Sequence, residues 1–263
     1  MGTVAKALEL LDLFSRARPA LGLSEAARLA GLNKATCHRL LGELQARGFV
    51  EQAGAAREYR LGPAVLRLAA LREAAVPLRA MAQPMLERLA DETGETAHLS
   101  ALEAGRLRML AWAYPAEHVT RVMMADTDTL LFHATSSGLA VLAYLPEAAR
   151  AAVLAEPLPR LTERTESDPD AVRARLVEVR SQGHAESAGS FEAEVHSLAV
   201  PLFDTEGAVT GALAVAAPVM RMTGALRGRI RDRLIAAAME LNDQGGGAVP
   251  PDLAALWRGA MKG

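Results

Sequence analysis

An α+β chain of two domains is predicted from three features of the 263 residues. These are two short helical stretches joined by a two-residue turn, a small hairpin directly behind them, and, after a linker, apolar strands interleaved with helices. The first two features outline a winged helix-turn-helix over residues 1–62. A linker helix over 63–77, an antiparallel-sheet domain over 78–243 and a tail over 244–263 complete the organisation.

The helix-turn-helix is written in its punctuation. In Ser24-Glu-Ala-Ala-Arg-Leu-Ala-Gly31, Ser24 is the expected N-cap of the first helix and Gly31 its left-handed stop. Asn33 caps the second helix, Leu32 closes over Cys37, and Gly48 after Arg47 ends it, so only Gly31 and Leu32 separate the two helices. At about 100° per residue, Cys37, Leu40, Leu41 and Leu44 share one arc and face a core. The opposite arc holds Ala35, Arg39, Gly42 and Ala46, with Thr36 and His38 flanking Arg39 and Lys34 at the positive helix end. Small residues let a helix axis approach a flat partner, and the polar ones are donors for bases and phosphates. By spacing alone, an amphipathic hairpin with merely solvated charges fits equally well.

The wing tips that balance. Residues 49–52 and 58–61 are β-prone runs around the small-residue turn Ala53-Gly-Ala-Ala-Arg57, and Arg57 and Arg60 are placed to reach a nucleic-acid backbone. Nine basic against six acidic residues give residues 1–62 a charge of +3, which leaves −5 for the remainder.

Past the wing, Val65, Leu66, Leu68, Ala69 and Leu71 recur at helical spacing between Pro63 and Pro77. Their all-round aliphatic character suits a helix packed on a partner; a core helix of one domain is the other reading. The larger domain is expected to open with a helix over 78–92. Strands follow at 96–102, 106–114 and 119–124, helices at 135–145 and 169–182, and strands at 195–203 and 208–216 around the turn Asp204-Thr-Glu-Gly207. A closing helix carries Leu226, Ile230, Leu234, Ala237 and Leu241 on one stripe. Helices on one side of the sheet and a pocket on the other are expected. After Gly245-Gly-Gly-Ala-Val-Pro-Pro251, residues 252–261 make a short amphipathic segment around Leu253, Leu256 and Trp257, either docked on a neighbouring subunit or free as a tail.

Composition narrows the functional class. No apolar run approaches the 18 or so residues of a membrane span and no cleavable signal opens the chain, so a cytoplasmic, DNA-associated protein is expected. The isoelectric point near 6.3 speaks against a structural DNA-bending protein. Cys37 is the sole cysteine and forms no internal disulfide. There is no Gly-x-Ser-x-Gly elbow, His-Glu-x-x-His or phosphate loop, so no catalysis, cofactor or metal is expected. His98, His118, His133, His184 and His196 lack metal-ligand spacing, and Glu192 and Glu194 near His196 come with no nucleophile.

Val4-x-Lys6-Ala7-Leu8-x-Leu10-Leu11-x-Leu13-Phe14, Leu23-Ser-Glu-Ala-Ala27, Gly31-Leu-Asn-Lys-Ala-Thr-Cys-His-Arg-Leu-Leu41, Arg47-Gly-Phe-Val50 and Tyr59-Arg-Leu-Gly62, in that order, resemble the N-terminal domain of IclR-type transcriptional regulators. Phe132-His-Ala-Thr-Ser-Ser-Gly138 and Leu198-Ala-Val-Pro-Leu-Phe-Asp204 with Gly207 are similar to motifs of that family's effector domain, and the resemblance spans about residues 4 to 243. It implies a DNA-binding regulator, more commonly a repressor than an activator, with a GAF-like C-terminal domain that senses a small organic acid. It also implies a homodimer, or a dimer of dimers, on a palindromic double-stranded operator, with no membrane partner. Lys34, Ala35, Thr36, His38 and Arg39 would enter the major groove, with Arg57 and Arg60 at the wing.

The resemblance places Ser136, Ser137, Gly138, Ser187, Ser197, Ala214 and Ala216 at effector-binding positions, where two backbone amides and two hydroxyls suit a carboxylate. The chain departs from many relatives here. It has Leu139 where they carry Lys or Arg, Ala188-Gly-Ser190 where they carry acids, Glu194 for Gly, Ser197 for Cys, and Ala214 and Ala216 for Ser. Fewer hydrogen-bonding groups favour a larger, less polar acid. Trp112, Met123 and Phe132, with Tyr114, Met124 and Phe203, suit an aromatic or acyl ligand, and ordinary core packing is the alternative for each.

Overall fold

The computed structural model describes residues 2–15, 18–54, 57–75, 78–116, 121–124 and 130–260, and their contacts divide into two units, residues 1–77 and 78–263. In the first unit, α1 (Thr3–Leu11), β1 (Ala20–Leu21), α2 (Leu23–Leu29), α3 (Lys34–Ala46), β2 (Val50–Ala53), β3 (Glu58–Leu61) and α4 (Pro63–Ala75) follow in order. Both expected stops work through the same closure. Gly31 (φ +62°) lets Leu32 N–H reach back to the Ala27 carbonyl at 2.9 Å, and Gly48 (φ +75°) does the same for Phe49 and Leu44 at 2.9 Å. Asn33 caps α3 as its position predicts, its Oδ1 accepting from Thr36 N–H at 2.8 Å.

Ser24 does not cap α2. The extended residue Gly22 does, without a side-chain bond, and Ser24 is the second helical residue. The reason is β1, an unexpected two-residue strand that feeds extended chain straight into the helix. It pairs Ala20 with Arg60 and Leu21 with Tyr59, giving a three-stranded sheet in the order β1-β3-β2. Leu10, Leu21, Cys37, Leu40, Leu41, Val50 and Tyr59 form the core beneath it. Along α4 the aliphatic residues stay uncovered by their own unit, Leu66 at 75% and Leu71 at 59% exposure. The expected terminator Pro77 lies outside the described residues.

The second unit contains α5 (Leu78–Thr93), β4 (Thr96–Glu103), β5 (Arg106–Ala113), α6 (Ser136–Tyr144), α7 (Glu147–Ala155), α8 (Pro169–Gln182), β6 (Ala185–Ala188), β7 (Val195–Phe203), β8 (Val209–Pro218), α9 (Gly224–Gly245) and α10 (Pro251–Ala260). Its antiparallel sheet runs β5-β4-β8-β7-β6. Neither α7 nor β6 was expected. Of the strand expected at 119–124, residues 121–124 are irregular and 119–120 lie outside the described residues.

Helices on one side of this sheet is also corrected. Successive residues of β7 and β8, from Leu198 to Val200 and from Ala212 to Ala217, are buried whichever way they point, so both faces must be covered. One cover is α5 packed with α9 and tied to it by Arg88 and Glu240. The other is α6, backed by α8. No helix among the described residues is long and apolar enough to cross a membrane.

The tail belongs to this unit. Leu253 and Trp257 of α10 are buried in the domain core, and Trp257 Nε1–H donates to the Gly183 carbonyl at 2.8 Å. Gly183 closes α8 at φ +71°, and a Cβ there would stand 2.9 Å from Trp257 Nε1, so both its conformation and its neighbour require glycine. Docking on another subunit and a free tail are therefore both replaced by intramolecular packing. Trp257→Ala is expected to cost about 3–5 kcal/mol, chiefly as a cavity. Trp257→Phe, which keeps most of the bulk but leaves the Gly183 carbonyl unpaired, is expected to cost about 1–3 kcal/mol. Urea denaturation of both variants checks the order.

Candidate functional site

In the first unit α3 turns Cys37, Leu40 and Leu41 inward and leaves Lys34, Ala35, His38 and Arg39 exposed and Thr36 half-buried. Lys34, His38 and Arg39 make no side-chain hydrogen bond or ion pair among the described residues. Gly42 shares their exposed arc, and nothing stands within 4 Å of where its Cβ would be. A mid-helix glycine costs about 1 kcal/mol, and packing within the chain does not call for this one. The wing forms as expected, but Arg60 lies directly opposite Glu51 and bonds it at 2.6 Å. Arg57 sits in the turn at φ +51°, its carbonyl accepting from Gln52 Nε2 at 3.2 Å. The wing thus offers one arginine engaged with a carboxylate and one held beside a neutral amide.

The second unit holds a partly open cavity of about 70 Å³ between the start of α6 and the sheet. Thr135 caps α6 by accepting Gly138 N–H at 2.9 Å, which leaves the amides of Ser136 and Ser137 without a partner among the described residues at the positive helix end. Ser136 Oγ–H donates to Ser197 Oγ of β7 at 2.8 Å, and Ser187 Oγ–H of β6 donates to the Ala134 carbonyl at 2.8 Å. On β4, His98 Nε2 lies 3.3 Å from Ser137 Oγ, and His98 Nδ1 has no partner among the described residues. Val122, Met123 and Met124 line the cavity as well. Thr96 Oγ1–H holds the Val122 carbonyl at 2.8 Å, and Tyr114 Oη accepts Met124 N–H at 3.1 Å. Met109, Met124, Leu130, Phe191 and Val195 supply the apolar wall, and Glu192 is its one charged side chain among the described residues.

Six of the expected effector residues lie on this wall: Met123, Ser136, Ser137, Ser187, Ser197 and Ala216. Trp112, Phe132, Gly138 and Ala214 do not. Trp112 is half-buried on edge strand β5, Phe132 packs against the domain core, and Ala214 is sealed within the sheet beside His98. Gly138 serves packing, because a Cβ there would come within 2.5 Å of the Leu131 carbonyl oxygen. Phe203 meets the Tyr144 ring edge-on at 5.5 Å instead of lining the cavity, and Tyr114 holds Met124.

The histidines separate clearly. His133 bonds the Pro159 carbonyl, His184 the Gln182 carbonyl and His196 the Glu186 carboxylate at 2.5 Å, rather than Glu192 or Glu194. That hydrogen bond from His196 holds the Glu186 carboxyl below its ordinary pKa. His118 lies outside the described residues, and among those described no group of three His, Cys, Asp or Glu side chains is placed to hold a metal. His98, 6% exposed, is the wall residue the sequence reading passed over. The signal was the alternation Thr96, His98, Ser100 within otherwise apolar β4, which marks the sheet face that has polar partners.

Compared with known proteins, residues 3–54 match the family model described as the IclR helix-turn-helix domain, and residues 72–243 match the one described as bacterial transcriptional regulator IclR C-terminal. The HTH-type transcriptional regulator BhcR of Paracoccus denitrificans (strain Pd 1222) is 32% identical over 238 residues, covering 90% of this chain and 85% of its own. The crystal structure of an IclR-type regulator from Silicibacter sp. TM1040 is 53% identical with a TM-score of 0.90, covering 95% of this chain and 99% of that one. An IclR homologue from Microbacterium hydrocarbonoxydans, crystallised with 4-hydroxybenzoate, is 30% identical with a TM-score of 0.77 and covers 92% of this chain and 100% of its own.

Burial lowers the His98 pKa from 6.5 to about 4, so the folded ring stays neutral through mild acid while the unfolded ring takes up a proton. The unfolded state then binds more protons between pH 6.5 and 4, and stability falls as pH falls through that window. Up to roughly 3 kcal/mol is expected from this residue, fully present above pH 6.5. Urea midpoints at pH 7 and pH 4.5 for wild type and His98→Asn check it: the variant should lose less on acidification, and equal losses contradict a buried neutral ring.

Proposed function

Because this chain belongs to the IclR family of bacterial transcriptional regulators, we propose that it represses a catabolic or metabolic operon until a small aromatic or moderately apolar acid enters the cavity of its second unit. The observation that carries the effector class is the cavity's polarity: hydroxyls and helix-terminal amides crowd one end, and thioethers with Phe191 line the rest. That division suits a carboxylate on a flat apolar body. The relative crystallised with 4-hydroxybenzoate supports the same class. Ala216, where many relatives carry serine, leaves that strand without a hydroxyl at the wall and favours bulk over extra hydrogen bonds.

DNA is read by α3, with Lys34, Ala35, Thr36, His38 and Arg39 in the major groove and Gly42 allowing close approach, while Arg57 and Arg60 meet phosphates from the wing. The exposed leucines of α4 suit a homodimer, and its two-fold axis suits a palindromic operator. An effector that prefers one arrangement of the subunits shifts operator affinity by that preference and no more. Turnover is not part of this reading. Ser137 beside His98 has the spacing of a nucleophile and base, but His98 Nδ1 has no orienting partner among the described residues and its low pKa makes the ring a weak base.

An electrophoretic mobility shift on DNA from beside the chain's own gene, repeated with benzoate, 4-hydroxybenzoate and short aliphatic acids, tests the proposal. A specific shift weakened by an aromatic acid is expected; a shift strengthened by it makes the protein an activator or a co-repressed regulator, and no specific shift removes the operator reading. Arg39→Ala is expected to lower specific operator affinity roughly tenfold to a hundredfold with unchanged thermal stability. Unaltered specific binding takes Arg39 off the DNA-reading surface.

A further inference from the structure

We propose, resting on the effector reading above, that His98 is the specificity-determining residue of the cavity. In this assignment its Nδ1–H hydrogen-bonds an effector oxyanion, and the first two amides of α6 hold that anion from the other side. The tautomer follows from the partners. Ser137 Oγ and His98 Nε2 lie 3.3 Å apart, and in this assignment the hydroxyl donates, Nε2 being its one acceptor among the described residues, so the neutral ring carries its proton on Nδ1. That N–H is buried on the cavity wall with no acceptor among the described residues, and a buried donor is paired as a rule.

Its neighbours are donors too. Ser197 Oγ accepts from Ser136, which leaves the Ser197 proton for the cavity, and the amides of Ser136 and Ser137 are also open. All four donors belong to residues that line one cavity, whose one charged side chain among the described residues is the carboxylate Glu192. A group made only of acceptors satisfies them. A carboxylate is such a group, whereas a carboxamide offers them one oxygen in place of two and must turn its NH₂ toward a serine Oγ or Glu192. The anion is therefore recognised by hydrogen bonds without a cation, and the isosteric amide binds more weakly because it leaves a wall donor unpaired.

Titration calorimetry on the full chain with benzoate, 4-hydroxybenzoate and 4-hydroxybenzamide, for wild type, His98→Leu and His98→Asn, tests this. Wild type should prefer acid over amide by tenfold or more. His98→Leu should bind the acids roughly tenfold to a hundredfold more weakly and lose the preference. His98→Asn, which keeps a donor near the position of Nδ1, should recover most of both. Equal acid affinity in all three proteins, or an amide bound as well as the acid, overturns the role of His98 and leaves the effector reading standing. If wild type binds neither acid, the effector reading itself falls, and this inference with it. Nitrogen-15 spectra of histidine-labelled wild type give a second check that needs no variant to fold: the Nδ1–H tautomer is expected, and an Nε2–H tautomer overturns the proposal.

Discussion

The middle of the central hairpin of the second unit, β7 with β8, is buried on both faces, and most of what surrounds it follows from that constraint. Backbone groups there are paired by the ladder, and side chains of both parities must meet other side chains. Helices therefore press on the sheet from two sides. A polar side chain survives on such a surface only where a partner reaches it, which confines Ser197, Ser187 and His98 to the end where α6 begins. The Thr135 cap and the tight seat of Gly138 against residues 131–132 hold that end of α6 in place. The cavity's single polar pole results from close packing, with hydroxyls spent on one another and amides left over.

The first unit answers to a smaller core. Two helices closed by left-handed glycines, and a sheet with a two-residue strand, bury enough to hold α3 by one face and leave the other with no task inside the chain. Gly42 on that face is a cost the fold does not recover internally. Across the wing, Glu51 and Arg60 form an exposed pair of the kind that contributes little to stability, so a phosphate can take the arginine over at small loss.

Elements whose signals are local were legible. Asn33, Gly31, Gly48 and Gly183 mark their helix ends by chemistry that acts within a turn, and residues 169–182 and 195–203 carry their boundaries in Asp168-Pro169, Gly183 and the apolar run. Elements that exist because of a distant partner were not. Ala20–Leu21 is a strand only because β3 has a free edge, and Ala185–Ala188 has weak strand propensity and is drawn into the sheet by β7. The expected cap at Ser24 failed for the same reason, since the strand before it set where the helix begins. Trp257 looked like the anchor of an outward-facing segment because its destination, the Gly183 carbonyl, is 74 residues away. At the cavity, the motif-borne serines lie on the wall, and wall residues that no motif names, among them His98, Met109 and Phe191, belong to strands and loops whose register no motif records.

The two units also differ in how they meet salt. Lys34 and Arg39 stand in solvent, where added ions screen any phosphate they face and each contact made steepens the dependence on ionic strength. The donors around His98 are uncharged and largely buried, where screening by mobile ions is weaker. Ionic strength is thus a dial that turns one half of the molecule further than the other. Moderate salt would weaken unspecific contacts of such cations with phosphates before it altered a buried cavity, so the buffer in which the chain is studied sets how sharply the two surfaces can be told apart.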